Sequence, residues 1–262
     1  MPAPDAPLAT AIPAGRLLPH VAEATDHAEQ LGAAVGTSVR LLNSVSEALT
    51  DSGQLDTVRL LLDRALRIAR TALGPDHADT LRARANLATL LGRSGQVTDA
   101  AAHFRQLLTD RTRVLGPDHP DTLTTRNNLA RWLGETGQVT DAITQFRQLL
   151  ADQARVLGPD HPYTLTTRSN LAYLLGEAGQ VTDAITHFRQ LLAECTRILG
   201  PDHPDTLRAR GNLARWLGEA GQVTDATDQF RQLLDDQARV LGPDHPDTLT
   251  TRSNFAYMLG EA

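Results

Sequence analysis

Apolar residues along this chain recur at the spacing of an α-helix. In the segment 139–157 they fall at i, i+4, i+7, i+8 and i+12, and charged or amide side chains occupy many of the positions between them. This pattern predicts a helix with one buried stripe. The preceding segment, 121–135, carries Leu129, Ala130 and Leu133, but Arg126 interrupts its stripe, so a less cleanly amphipathic helix is predicted there. The stripe of the first segment consists of Ala142, Phe146, Leu149, Leu150 and Ala154.

This two-helix pattern repeats every 42 residues. Leu-Gly-Pro-Asp-His begins at residues 73, 115, 157, 199 and 241, and Gly-Gln begins at residues 53, 95, 137, 179 and 221. Because one helical hairpin cannot bury its apolar faces alone, successive hairpins must stack. The sequence therefore predicts an all-α solenoid over 35–262, with five helix pairs and a final unpaired first helix.

The glycine, proline and histidine residues between the helices favour the end of one helix and the start of the next. Gly158 can adopt the left-handed conformation that ends a helix, and Pro159 cannot continue one. Pro162 suits a first helical turn, and the histidine before it can accept a hydrogen bond from an unpaired amide. Capping therefore accounts for the five histidines of this turn, and we predict no metal site among them.

The region before the repeats divides into two parts. Residues 1–13 are rich in proline and alanine and lack periodicity, which predicts a disordered leader. Residues 14–34 contain apolar side chains at helical spacing, including Leu17, Val21 and Leu31, which predicts an N-terminal capping helix.

Composition excludes several classes of protein. One cysteine cannot form an intrachain disulfide or a multi-thiolate zinc site, and Cys195 is expected to be a buried, idle thiol. The net charge is −6, all 25 basic residues are arginine, and no apolar run is long enough for a membrane helix. We therefore expect a cytoplasmic protein that binds neither nucleic acid nor membrane. No catalytic constellation and no need for a cofactor are evident, so an enzyme is not predicted.

The repeat resembles a family. The spacing of Leu129, Ala130, Gly137, Ala142 and Phe146 is similar to that of a tetratricopeptide repeat (TPR), and the 42-residue step with Gly-Pro-Asp-His-Pro resembles the kinesin light chain variety. The resemblance implies a right-handed superhelix of antiparallel helix pairs with the first helices on the concave side. One departure is an arginine in place of the usual leucine of the first helix, at Arg84, Arg126, Arg168, Arg210 and Arg252.

A second resemblance concerns the leader. Arg16-Leu17-Leu18-Pro19-His20-Val21, followed by such repeats, is similar to the junction before the C-terminal array of actinobacterial STAND-type (NB-ARC) ATPases. That resemblance implies a sensing or partner-binding arm. A chain without lysine cannot contain the usual phosphate-binding P-loop.

One position of the first helix is occupied by asparagine in every repeat. The resemblance implies that this asparagine hydrogen-bonds the backbone of a bound peptide, and a carboxamide offers both a donor and an acceptor for that purpose. The alternative is that it bridges adjacent repeats. These residues are Asn86, Asn128, Asn170, Asn212 and Asn254.

Three residues later the side chain varies between repeats. Arginine can bind a carboxylate and tyrosine can stack or donate, so this row could select an acidic or aromatic-containing segment. Drift after duplication is the alternative, because residues 151–178 and 235–262 differ at only four places. Glutamates four residues further on, such as Glu219, are expected to pair with these arginines along one helix face. The variable row consists of Thr89, Arg131, Tyr173, Arg215 and Tyr257.

The sequence thus predicts a non-catalytic interaction scaffold that binds an extended peptide or partner protein in its concave groove. Trp132 and Trp216 are expected to pack in the core rather than contact a ligand. The alternative function is self-assembly, with a homodimer formed through the uncovered face around Phe255, Met258 and Leu259.

Overall fold

The computed structural model describes residues 19–21, 23–27, 34–50 and 54–260, and every regular element among them is an α-helix. The helical residues 19–21 and 23–27 are labelled α1. The other helices are α2 (Val35–Thr50), α3 (Leu55–Ala72), α4 (Ala78–Arg93), α5 (Val97–Leu115), α6 (Pro120–Glu135), α7 (Val139–Val156), α8 (Pro162–Glu177), α9 (Val181–Leu199), α10 (Pro204–Glu219), α11 (Val223–Val240) and α12 (Pro246–Gly260).

The chain forms two compact units, Met1–Trp132 and Leu133–Ala262. In the N-terminal unit, α2 packs on α3 and α4, α3 packs on α4, and α4 packs on α5. In the C-terminal unit, consecutive helices from α7 to α12 pack on one another, and α10 also contacts α8 and α12. The predicted all-α fold of consecutively packed helix pairs is therefore confirmed.

The apolar stripes of the second helices form the core. Each of these helices from α5 onward buries a phenylalanine and, four residues earlier, an alanine; in α7 these are Phe146 and Ala142. Burial of one such phenylalanine contributes roughly 2–3 kcal/mol. The alanine leaves room for the neighbouring helix to approach. The four phenylalanines are Phe104, Phe146, Phe188 and Phe230.

The turns follow the expected chemistry with one refinement. Gly158 has the positive φ expected of it, 98°. At the equivalent Gly116, however, φ is 92° and ψ is 161°, which is the mirror image of an extended conformation rather than a left-handed helical one. Only glycine adopts such a conformation readily, because a Cβ atom would clash with the backbone.

The histidines of the turn cap the first helices, as predicted. The Nδ1 atom of His161 accepts a hydrogen bond from the backbone N–H of Tyr163 at 3.2 Å. The other four histidines make the same contact with the residue two positions on, at 3.1–3.2 Å. The four others are His77, His119, His203 and His245.

The first helices pack through glycine notches. The indole of Trp216 lies so close to Gly176 that a Cβ atom added there would be 2.4 Å from the ring, and Trp132 lies similarly against Gly92. Both tryptophans are buried, so their predicted role in packing is confirmed.

In three repeats the arginine that replaces the usual leucine forms an ion pair within its own helix pair. Arg84 pairs with Asp110 at 2.7 Å, and Arg210 pairs with Asp236 at 2.6 Å. Arg168 pairs in the same way with Glu194. The prediction that the guanidinium reaches a neighbouring acid is confirmed for these three arginines, whose side chains are largely buried. At Arg252, which is exposed, the guanidinium instead donates to the backbone carbonyl of Pro243 at 3.4 Å.

Part of the N-terminal prediction lies outside the described residues. The leader 1–13 lies there entirely, and the capping helix 14–34 lies there in part. Within α1, Val21 is buried in a cluster with residues of α2, α3 and α4. Asp26 of α1 forms an ion pair with Arg64 at 2.6 Å. These contacts attach α1 to α2, α3 and α4, while its full extent stays a prediction.

Candidate peptide-binding surface

The five repeated asparagines lie on the first helices α4, α6, α8, α10 and α12. Asn86, Asn128, Asn170 and Asn212 are half-buried, whereas Asn254 is exposed. The structure gives equivalent asparagines different surroundings, and those surroundings decide which of them a ligand can reach.

Asn86 bridges two helices of the N-terminal unit. Its Nδ2 donates to Oε1 of Glu47 on α2 at 2.9 Å, and Arg82 donates to both oxygens of the same carboxylate at 2.9 and 2.6 Å. Burial raises the pKa of Glu47, but the hydrogen bonds from Arg82 and Asn86 outweigh this effect and hold the pKa below its usual range. Asn86 therefore has the bridging arrangement that the sequence left open as the alternative.

Asn212 and Asn254 meet at one cavity of the C-terminal unit. This cavity of about 290 Å³ lies among α10, α11 and α12, and Arg215 also lines it. The helices bring these three residues together because α10 packs against α12, which places the same face of successive first helices side by side. Two asparagines and one member of the variable row thus share a single concave site.

Arg215 is held in a defined position. Its guanidinium lies 5.3 Å from the ring centroid of Tyr173 and 4.8 Å from that of Trp216, and Nη1 donates to the Tyr173 hydroxyl at 3.2 Å. Nη2 donates to Oε1 of Glu177 on α8 at 2.9 Å. Cation–π contacts and hydrogen bonds therefore fix the arginine over the preceding repeat.

This geometry corrects one expectation about charge. Arg215 was expected to pair with Glu219, four residues on along α10, but it pairs with Glu177 of the preceding first helix. Neighbouring first helices are close enough for this contact, and the stacking on Tyr173 directs the guanidinium towards α8. The side chains of Arg215 and Glu177 are 39% and 44% exposed, so the ion pair stabilises the fold only weakly.

The remaining candidates occupy the same row of their own helices. Arg131 is exposed, with its guanidinium 4.6 Å from the centroid of Trp132. Tyr173 and Tyr257 are exposed by 40% and 61%. Thr89 is half-buried and donates its hydroxyl to the carbonyl of Ala85. The row is accessible at the arginine and tyrosine positions.

Other reactive groups have structural surroundings. Cys195 is buried, and burial raises the pKa of its thiol, which makes it a poor nucleophile. No cluster of three or more histidine, cysteine or acidic side chains that could hold a metal ion occurs in the described part of the chain. Within the same residues, no helix is long and apolar enough to cross a bilayer.

Sequence reasoning missed a set of ion pairs between repeats. The aspartate of the Pro-Asp-His turn receives two hydrogen bonds from an arginine 37 residues later, as in Arg239 with Asp202 at 2.9 and 2.6 Å. Arg113 with Asp76 and Arg197 with Asp160 repeat the arrangement. The constant 37-residue spacing was visible in the sequence, but only the stacking of repeats brings the two ends together.

The face of α12 predicted around Phe255, Met258 and Leu259 is only partly exposed, and Phe255 is half-buried. Leu259 is 53% exposed, in line with an uncovered face. Met258, however, is only 8% exposed and packs on Gly218 of α10, so it does not belong to that face. Adjacent residues of a helix lie about 100° apart around its axis, and position 258 is the one that fills the glycine notch.

The chain matches a known family of repeat proteins. The family model described as Tetratricopeptide repeat matches residues 37–111, 93–153, 135–193 and 166–237. A comparison with curated proteins found no match.

Solved structures with the same helix arrangement include kinesin light chain-like proteins. Nearly identical TPR-like repeats of a Podospora anserina putative kinesin light chain share 28% identity at a TM-score of 0.65, over 77% of this chain and 95% of that one. BtubC (BKLC) from P. vanneervenii shares the fold at 20% identity and a TM-score of 0.72, over 90% of this chain and 94% of that one. The similarity to kinesin light chain repeats is confirmed.

Proposed function

Because this chain belongs to the tetratricopeptide repeat family, we propose that it is a non-catalytic interaction scaffold whose first helices bind an extended peptide or partner segment. TPR proteins generally act as protein-interaction scaffolds. The peptide would lie along α8, α10 and α12 of the C-terminal unit.

The observation that carries this proposal is the convergence of Asn212, Arg215 and Asn254 on one cavity. Two carboxamides can donate to and accept from the amides of an extended backbone without regard to its sequence. In contrast to Asn86, neither residue is committed to a glutamate of a neighbouring helix. These properties suit a surface that binds a main chain first and then selects side chains.

Arg215 supplies the selective element. Its contact with Glu177 is partly exposed, and such pairs contribute about 0.2–1 kcal/mol, so a ligand carboxylate can replace it at little cost. Stacking on Tyr173 and Trp216 keeps the guanidinium in place during the exchange. We therefore expect a bound segment with an acidic residue near Arg215.

The proposal is tested by selecting peptides from a random displayed library on the purified chain and measuring their affinity by fluorescence anisotropy. Replacing Asn212 or Asn254 with alanine should weaken binding by roughly 1 kcal/mol each, because each change removes hydrogen bonds to the ligand. Asn86→Ala is the matched control, and we expect it to leave the affinity unchanged while removing the bridge to Glu47. Equal effects of all three substitutions, or none, would argue against a site at α10 and α12.

A second candidate function is self-assembly through α12. Leu249 and Leu259 are 43% and 53% exposed, whereas their equivalents on α10, Leu207 and Leu217, are buried. A second copy of the chain could cover this face. Sedimentation velocity at tens of micromolar would then show a dimer that Leu259→Glu dissociates. Met258→Glu is unsuitable because it would disrupt packing on Gly218, and a wild-type monomer at that concentration would end this candidate.

We further propose that this scaffold is the sensor arm of a larger signalling ATPase. This extension rests only on the resemblance of residues 16–21 to the junction in such proteins. Its test is whether addition of the array changes the ATP hydrolysis rate of a P-loop ATPase from the same host. A rate independent of the array would remove this extension and leave the scaffold proposal intact.

A further inference from the structure

One stripe of side chains along α12 is uncovered. Leu249, Ala256 and Leu259 are exposed there, whereas the equivalent residues of α4, α8 and α10 are buried. In those helix pairs the second helix, α5, α9 or α11, packs on the first. Within residues 54–260, α12 packs only on α10 and α11, and no described helix covers the stripe. The other pairs therefore show what kind of helix such a stripe contacts.

The second helices of those pairs share one pattern of residues. Each carries an alanine, a phenylalanine four positions later, and then a leucine, an acid and an arginine at successive steps of three. The alanine, the phenylalanine and the leucine are buried in all three helices. In one-letter code the pattern is A-x3-F-x2-L-x2-[DE]-x2-R, and in α11 it consists of Ala226, Phe230, Leu233, Asp236 and Arg239.

The acid and the arginine of this pattern each bind a charge of the first helix or of its turn. Asp236 of α11 pairs with Arg210 of α10 at 2.6 Å. Arg239 of α11 pairs with Asp202, in the turn that precedes α10, at 2.6 Å. The same two pairs join α5 to α4 and α9 to α8. These contacts fix the direction and the register of the second helix on the first.

At α12 the two equivalent charges are without such partners. Arg252 is exposed and donates to the carbonyl of Pro243 at 3.4 Å, and neither it nor Asp244 forms an ion pair within the described part of the chain. An acid and an arginine three residues apart on one helix would supply both partners, because that is their spacing in α5, α9 and α11. The exposed stripe and the two charges therefore require the same pattern.

The stripe is separate from the concave groove. Asn254 lines the cavity beside α10, and Met258 packs on Gly218 of α10. At about 100° per residue, these two positions lie on the side of α12 opposite to the stripe. A peptide in the groove leaves the stripe uncovered.

We propose that the α12 stripe is a docking site for an amphipathic helix of a partner protein that carries this pattern. The apolar residues of that helix cover Leu249, Ala256 and Leu259. Its acid pairs with Arg252, and its arginine pairs with Asp244. A second copy of the chain is a poorer occupant, because in every described helix with the pattern the phenylalanine is already buried. This inference adds a second site and does not depend on binding in the groove.

The probe for this site is a fluorescein-labelled peptide with the sequence of α9, Val181–Leu199. Cys195→Gln in the peptide prevents oxidation and introduces the residue found at that position in α7 and α11. The α9 sequence suits the test because it covers α8, and α12 differs from α8 at only three positions. Fluorescence anisotropy should show saturable binding of this peptide to the full chain.

Three variants of the chain locate the binding. Leu259→Glu should weaken it roughly tenfold or more, because the helix would bury an unpaired carboxylate. Arg252→Glu should weaken it about fivefold, and Glu194→Arg in the peptide should restore most of the affinity by exchanging the two charges. Asn254→Ala, on the groove side of α12, is the matched control and should leave the affinity of this peptide unchanged.

Two results would overturn the inference. The first is a peptide that does not bind saturably, or that binds wild type and Leu259→Glu equally. The second is a dimer in sedimentation velocity that the peptide does not dissociate, which would assign the stripe to a second copy. Because Asn254→Ala should weaken a groove ligand but not this peptide, failure at either site is distinguishable from failure at the other.

Discussion

At the scale of single residues, equivalent positions of a near-identical repeat have different roles because their neighbours differ. Asn86 is bound to Glu47, whereas Asn212 and Asn254 face a cavity. The role of a glycine inside a helix also depends on its neighbours. Gly176 needs no unusual backbone conformation; it is required because the Trp216 ring occupies the space of a side chain.

Gly176→Ala tests this explanation. Alanine would raise helix propensity by about 1 kcal/mol, but the added Cβ atom would lie 2.4 Å from Trp216, and overpacking costs about 1–3 kcal/mol. We expect a net loss of unfolding free energy in urea. The double variant Gly176→Ala/Trp216→Leu should recover most of it, because leucine already fills the equivalent notch at Leu174 over Gly134. If Gly176→Ala alone were more stable than the wild type, close packing of Trp216 would not be the reason for the glycine.

At the scale of helices, the sequence predicts contacts within one helix pair but not those between successive first helices. The alanine and phenylalanine stripe, the histidine caps and the packing of Trp216 all follow from spacing along a single helix. The contact of Arg215 with Glu177 and the burial of Met258 depend on how successive first helices are offset, and periodicity does not contain that offset. The cavity among α10, α11 and α12 depends on the same offset, so it could not be predicted.

The arginine–aspartate pairs between repeats give stability a dependence on pH. A hydrogen bond from Arg239 lowers the pKa of Asp202, and Arg113 does the same for Asp76. Because the folded pKa lies below the unfolded value of about 3.9, the stabilisation is present above that pH and is lost as the pH falls through the folded pKa.

Asp202→Asn should therefore lower the urea midpoint at pH 7 by a small, salt-sensitive amount, and the difference from wild type should vanish in strong acid. Asp244→Asn, in the same turn of the last repeat, is the control. A difference that persists unchanged below pH 2 would assign the effect to something other than this ion pair.

At the scale of the whole molecule, the chain combines uniform packing with a non-uniform ligand surface. Buried phenylalanines recur in α5, α7, α9 and α11, and capping histidines precede α4, α6, α8, α10 and α12. The cavity and the accessible polar groups, in contrast, are concentrated at particular first helices. In the C-terminal unit this concentration falls on α10 and α12.

The most direct measurement of the central claim is a map of ¹H–¹⁵N shift changes when a selected peptide binds the full chain. The account predicts that the side-chain amides of Asn212 and Asn254 and the backbone amides of α10 and α12 shift together, while the second helices α9 and α11 change little on their outer faces. Shifts confined to those outer faces, with the two asparagine side chains unaffected, would contradict it.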